Sequence, residues 1–165
     1  MRKLLLVICF TCSTSALALN PSVKSPDEII GCWERIDFTE ETQKKINAIE
    51  PWPVRYQWFC FESDGTLNTY GSTKRSKQTS TSLRKLFEIL PKGIRYTIPH
   101  KGIIKTEQNI PGSTSKQTII WGANFRGDTV LFDGKTLEKG MLIMSIFDKS
   151  KEKNVYYRYL RRVND

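Results

Sequence analysis

Three carboxylates, Asp37, Glu62 and Asp64, are the side chains best suited by type and spacing to acid–base chemistry. Paired acids can divide the proton-donor and proton-acceptor roles between them. These three flank two expected strands and would share a cleft if those strands pair. Acids at turns and rims are nevertheless far commoner than catalytic ones. The chain's one histidine, His100, lies between Pro99 and Lys101-Gly102. That is a turn, where a solvated imidazole is expected. No Gly-x-Ser-x-Gly nucleophile elbow and no phosphate-cradling Gly-x-x-x-x-Gly-Lys occurs. No His, Cys, Asp or Glu set has metal-ligand spacing. The expectation is therefore a protein that is not an enzyme, with no catalytic residues, no metal and no cofactor.

The cysteines are read through the compartment. Met1-Arg2-Lys3, the apolar run Leu4 to Phe10, and Ala16-Leu17-Ala18 follow the three-part pattern of a secretory signal. The run is too short to anchor in a membrane. Ile8 and Thr11 precede Cys9 and Cys12, where a lipidation site wants a small residue. Cleavage after Ala18 removes Arg2, Lys3, Cys9 and Cys12, so the net charge of +9 falls by two. Cys32 and Cys60 remain as one pair in an oxidising, periplasmic or secreted setting, where a disulfide is expected. There is no C-x-x-C to suggest redox catalysis.

The elements that must hold these residues are mostly strands. Residues 19–28 carry two prolines and no period, and read as an exposed, flexible arm; residues 29–165 read as one domain. Strands are expected at Ile29–Phe38 and Arg55–Glu62, the latter turning through Ser63-Asp64-Gly65 into Thr66–Ser72. Between the first two strands, residues 39–54 read as a polar loop with one helical turn. Pro51-Trp52-Pro53 in it cannot lie inside a helix or central strand. Leu83, Leu86, Phe87 and Leu90 recur at helical spacing, which predicts one short helix over 82–90 capped by Ser82. Strand patterns then return at Ile94–Pro99, Gly102–Gln108, Gln117–Phe125, Thr129–Phe132, Met141–Asp148 and Val155–Val163. Their turns are Gly112-Ser113, Arg126-Gly127-Asp128 and Asp133-Gly134. This spacing predicts an all-β antiparallel sandwich or barrel of about eight strands with one mid-chain helix.

Alternate strand residues share a face. With Phe59 and Phe61 inward, Cys60 points outward; with Trp33 inward, so does Cys32. The two cysteines can then bond without disturbing the core. In the last strand, Val155, Tyr157, Tyr159, Arg161 and Val163 read as the inner set. Arg158 and Arg162 fall on the outer one.

Gly31-Cys32-Trp33 resembles the Gly-x-Trp motif that opens the first strand of lipocalins and bacterial lipocalin-like proteins. The strand ending in Asp64-Gly65-Thr66 resembles the F-x-x-D-G-T hairpin of the bacterial group. The resemblance implies an up-and-down barrel. It also implies that an arginine near the end of the last strand covers the tryptophan and closes one end, with Arg161 the best match and Gly31 and Trp33 its partners. The helix departs from the classical pattern, since it lies after the first hairpin rather than before the last strand.

Two uses compete. Phe59, Phe61, Ile119, Trp121, Phe125, Tyr157 and Tyr159 would line the barrel and bind a small hydrophobic ligand. Alternatively, the basic loop of Lys74, Arg75 and Lys77, with Arg84 and Lys85 on the helix, would meet an acidic envelope component or protein. Exposed Trp52 and Trp58 would join that surface, as in a periplasmic inhibitor or immunity-type barrel. Export argues against nucleic acid, and no segment predicts a membrane span.

Overall fold

The Asp64-Gly65 turn joins the first long hairpin of the fold. Gly65 adopts φ 79°, which only glycine takes readily, and Asp64 Oδ1 accepts from Thr66 N at 2.9 Å. Around this hairpin the computed structural model describes residues 19–48, 54–109, 114–148 and 150–165. The expected leader with Cys9 and Cys12, the Pro51-Trp52-Pro53 segment, and Gly112-Ser113 lie outside the described residues.

The hairpin strands are β2 (Tyr56–Phe61) and β3 (Thr66–Ser72), preceded by β1 (Gly31–Arg35). Then come β4 (Ile94–His100), β5 (Ile103–Asn109) and β6 (Lys116–Phe125). The short β7 (Val130–Phe132) and β8 (Lys135–Leu137) precede β9 (Leu142–Asp148) and β10 (Lys153–Arg162). Eight strands close an antiparallel up-and-down barrel in the order β1-β2-β3-β4-β5-β6-β9-β10, with β10 returning to β1. The closure is weakest between β3 and β4, which pair only at Thr66 and Leu67. The expected strand near 129–132 is not a barrel stave. It is half of the separate β7–β8 hairpin, whose Asp133-Gly134 turn has both φ values positive (52° and 65°), as a tight type I′ connection requires. Its Asp133 carboxylate accepts from Thr39 N and Oγ1, at 3.2 Å each.

Among the described residues, two α-helices lie outside the barrel. The polar stretch holds α1 (Glu40–Lys45), capped by Thr39. The mid-chain helix α2 spans Ser80–Ile89. It starts two residues before the expected position because Thr79 is the cap. Thr79 and Ser82 exchange hydrogen bonds with each other's backbone in a capping box.

The disulfide joins Cys32 and Cys60, which lie directly opposite in the β1–β2 register. Both point out of the barrel, yet both are buried, because α2 covers them through Leu83. Trp58 shares that cover. It is 1% exposed and stacks on Tyr70 at 5.5 Å, so the expectation of a surface tryptophan there is corrected. The segment 19–28 is also docked rather than loose. Val23 is fully buried, its N donates to Ala123 O, and Gly102 N donates to Val23 O.

The face assignment of β10 is reversed. Tyr156, Arg158 and Leu160 are buried on the inside, while Tyr157 and Tyr159 are outside. The outer tyrosines escape water by other means. Tyr159 packs edge-on to Phe38 at 5.6 Å, beneath the β7–β8 hairpin whose Phe132 also meets Phe38. Trp33 pairs in register with Arg162, so both point inward.

Candidate functional site

One end of the barrel is closed by residues the sequence marks out. The Trp33 indole N–H donates to Ile29 O at 2.8 Å, and Phe125 packs beside it at 6.5 Å. The covering arginine is Arg162, not Arg161. Its guanidinium lies 4.4 Å from the Trp33 ring centroid. It donates to Ile30 O at 2.8 Å and Glu28 O at 3.2 Å, tying the chain before β1 to the end of β10. Burial lowers the Arg162 pKa from its ordinary value, but an arginine remains charged at any physiological pH. Gly31 adopts φ 121°, and a Cβ there would lie 2.8 Å from Arg162 Nη1. Arg161 instead points outward and bonds Glu34 at 2.7 Å.

Above this plug the barrel is hollow. A cavity of about 360 Å³ lies among the inward faces of β2–β6, β9 and β10. Apolar walls come from Phe59, Leu67, Ile94, Ile119, Trp121 and Met144. Gln57, Thr69, Gln108 and Gln117 supply a polar rim, where Thr69, Gln108 and Gln117 are exposed. The rim lies where the barrel is least stitched: β3 pairs with β4 only at Thr66 and Leu67. Thr106 pairs the indole N–H of the Trp121 wall. Its Oγ1 accepts from Trp121 Nε1 at 3.2 Å.

Arg158 also lines the cavity. It is 5% exposed, and its guanidinium carbon lies 4.5 Å from the Phe59 ring, 5.0 Å from Trp121 and 5.5 Å from Tyr156. Its Nε donates to Tyr156 Oη at 3.2 Å. A cation held against several aromatic faces is stabilised without leaving its polar edge in hydrocarbon.

Of the expected ligand-lining residues, Phe59 and Trp121 stand on the cavity wall, as does Ile119. Phe61 and Phe125 belong to the packed closed end. Tyr157 and Tyr159 face away from the interior. Sequence reasoning missed Arg158, Thr106, Gln57 and Met144. The signal for Arg158 was Leu160, the one aliphatic residue between 156 and 162, which shares its face. The three carboxylates are not brought together. Asp37 follows β1 beside the Tyr56 end and binds Arg55 at 3.0 Å, whereas Glu62 and Asp64 lie at the other end of β2. Thr66 holds the Asp64 carboxyl below its usual pKa by hydrogen bonding. Among the described residues no cluster could hold a metal ion, and no helix is long and apolar enough to cross a membrane.

Comparison of the chain with protein-family models, with curated proteins and with solved structures finds no match.

Proposed function

We propose that this protein is an exported, lipocalin-like carrier that binds one small hydrophobic molecule inside its barrel. The observation that carries the reading is the cavity of about 360 Å³. It falls within the roughly 300–1,000 Å³ of small-molecule sites, and it has their mostly apolar walls with a few polar groups. Eight-stranded barrels are just wide enough either to fill with side chains or to keep one such space. The size favours a single ring or a medium-length chain. Kinship with the lipocalins is supported by Gly31-Cys32-Trp33 and by the arginine over that tryptophan. Export is supported by the N-terminal signal pattern and by the Cys32–Cys60 disulfide, a bond that persists in oxidising compartments.

Native mass spectrometry of the purified protein tests this directly. The expected result is a retained small molecule, or uptake of one equivalent of decanoate or 1-decanol after stripping. Ile119→Trp, which fills the space beneath the rim, should abolish uptake while leaving the fold intact. Absence of any adduct or uptake in the unaltered protein would overturn the reading.

A second reading, a barrel that docks an acidic protein or envelope component, keeps one support. Lys74, Arg75 and Lys77 are exposed in the loop after β3. It loses Trp58, which is buried. A salt-sensitive partner lost on charge reversal of those three residues would favour it.

A further inference from the structure

Beyond its short contact with β4, strand β3 has a free edge. Glu62 N donates to Thr66 O at 2.8 Å, so the Thr66 carbonyl points at β2. Tyr96 N donates to Gly65 O at 2.8 Å, so the Gly65 carbonyl points at β4. Alternation then turns the backbone groups of Leu67, Thr69 and Gly71 toward the β4 side as well. Leu67 meets Ile94 there, and the pairing stops. The chain before β4 turns away because Asn68 Oδ1 takes the Gly93 N–H at 3.2 Å, and Pro91 just upstream has no N–H to donate. Strand β3 itself runs on, paired with β2 as far as Ser72. Among the described residues no hydrogen bond reaches the N–H or C=O of Thr69 or Gly71 from that side. Both residues are exposed and line the cavity at its rim. Their donors and acceptors therefore stand in a row, open to a partner. Across the gap β5 also runs on past β4, since Gln108 and Asn109 pair with β6 alone. The gap is the place that a longer β4 would fill.

The charges flanking this gap are mostly positive. Exposed Lys74, Arg75 and Lys77 follow β3, exposed Lys92 precedes β4, and exposed Lys116 opposes Asn109. Of the two acids nearest along the chain, Glu88 and Glu107, the second is held by Lys105 at 2.5 Å. We propose that an extended acidic segment of a partner protein adds to β3 as a strand, pairing with Thr69 and Gly71 and filling the gap beside β5. An open strand edge is a template for pairing with another chain. In such an addition main-chain hydrogen bonds give affinity and side chains give specificity. Alternate side chains of the added strand face opposite ways. One set would meet the cavity mouth at Leu67 and Ile94, and the other would lie on the solvent side among the cations. This rests on the second reading above, the docking of an acidic partner, and gives it a place and a backbone geometry.

The test uses two acetylated, amidated hexapeptides of alternating residues, one of glutamate and valine and one of lysine and valine. Binding to the whole protein is followed by calorimetry and by amide hydrogen exchange. The glutamate peptide should bind at least about tenfold more tightly than the lysine peptide. It should also slow exchange of the Thr69 and Gly71 amides, which exchange fast in the free protein. Thr69→Pro removes one N–H of the free edge without removing a bond to β2, and a free edge is where a strand accepts proline. It should weaken the glutamate peptide by about tenfold, whereas Thr69→Val, which keeps the N–H, should bind as the unaltered protein does. If Thr69→Pro does not fold, protection of the two amides in the unaltered protein decides. Binding of the glutamate peptide without that protection, or unchanged in Thr69→Pro, would overturn strand addition and leave the acidic-partner reading standing. Binding of neither peptide, or equal binding of both, would overturn both.

Discussion

Replacing Arg162 by alanine should destabilise the barrel several times more than replacing its neighbour Arg161. The Arg162 guanidinium lies 4.4 Å from the Trp33 centroid, and that indole is 1% exposed. A cation on a buried ring contributes in the upper part of ~0.5–2 kcal/mol. Its two hydrogen bonds to Ile30 O and Glu28 O lie where water competes, so each adds roughly 0.5 kcal/mol. The total is about 2–3 kcal/mol, from the loss of both the cover and the tie. Arg161 makes a salt bridge with Glu34 through a side chain that is 52% exposed. Such a pair is worth about 0–1 kcal/mol. For a chain of this size one kcal/mol corresponds to roughly 2–4 °C. Arg162→Ala should therefore lower the Tm by about 4–12 °C, and Arg161→Ala by no more than about 4 °C. Differential scanning calorimetry of the two variants reads this out. Tryptophan emission should shift red only for Arg162→Ala, as water reaches Trp33. An equal or larger loss in Arg161→Ala would refute the assignment of the closing arginine.

Cys32→Ser should lower the Tm by several degrees and leave one free thiol, at Cys60, which a thiol reagent titrates after denaturation. The lost bridge spans a sequence separation of 28 and is worth roughly 3–4 kcal/mol in the chain-entropy model. Acid should weaken the fold, because Asp64, Asp133 and Asp148 all have pKa values lowered by hydrogen bonds they accept in the folded state. Groups with depressed folded pKa values stabilise above their unfolded values, near 3.8, and lose that contribution as pH falls through the folded ones. Urea midpoints should be flat above about pH 5 and fall below about pH 4, with a shallower fall in Asp64→Asn; an identical slope in that variant would count against the Asp64–Thr66 contact. Gly31→Ala should cost about 1–3 kcal/mol, since φ 121° and Arg162 Nη1 both oppose a Cβ. Gly134→Ala, with nothing within 4 Å of the new atom, should cost less by chemical denaturation.

Much of this fold was legible because strand parity links distant residues. Fixing Trp33 and Phe59 inward places Cys32 and Cys60 outward together, and the β1–β2 register sets them opposite. The same rule failed in β10, where both faces carry aromatic residues and arginines. Alternation separates two faces but does not say which is inner when a second layer covers the outer one. Here Phe38 and the β7–β8 hairpin shelter Tyr159, while aromatic rings allow Arg158 to be buried. Trp58 misled for a related reason. Its outward position is real, but a helix from later in the chain covers it. The start of α2 was hidden because a serine at the third helical position, Ser82, replaces the usual glutamate of a capping box. As a result the candidate site was half visible: its aromatic wall could be read locally, whereas its charged group depended on the closed register of the whole barrel.

A ligand site inside the barrel is tested most directly by titrating the isotope-labelled protein with decanoate and following amide and indole NMR shifts. Saturable changes are expected, centred on Phe59, Thr106, Ile119, Trp121 (including its indole N–H), Met144 and Arg158, with the Trp33 end unmoved. Absence of saturable shifts, or changes confined to the exposed Leu131 and Phe132 of the outer hairpin, would contradict a ligand site inside the barrel.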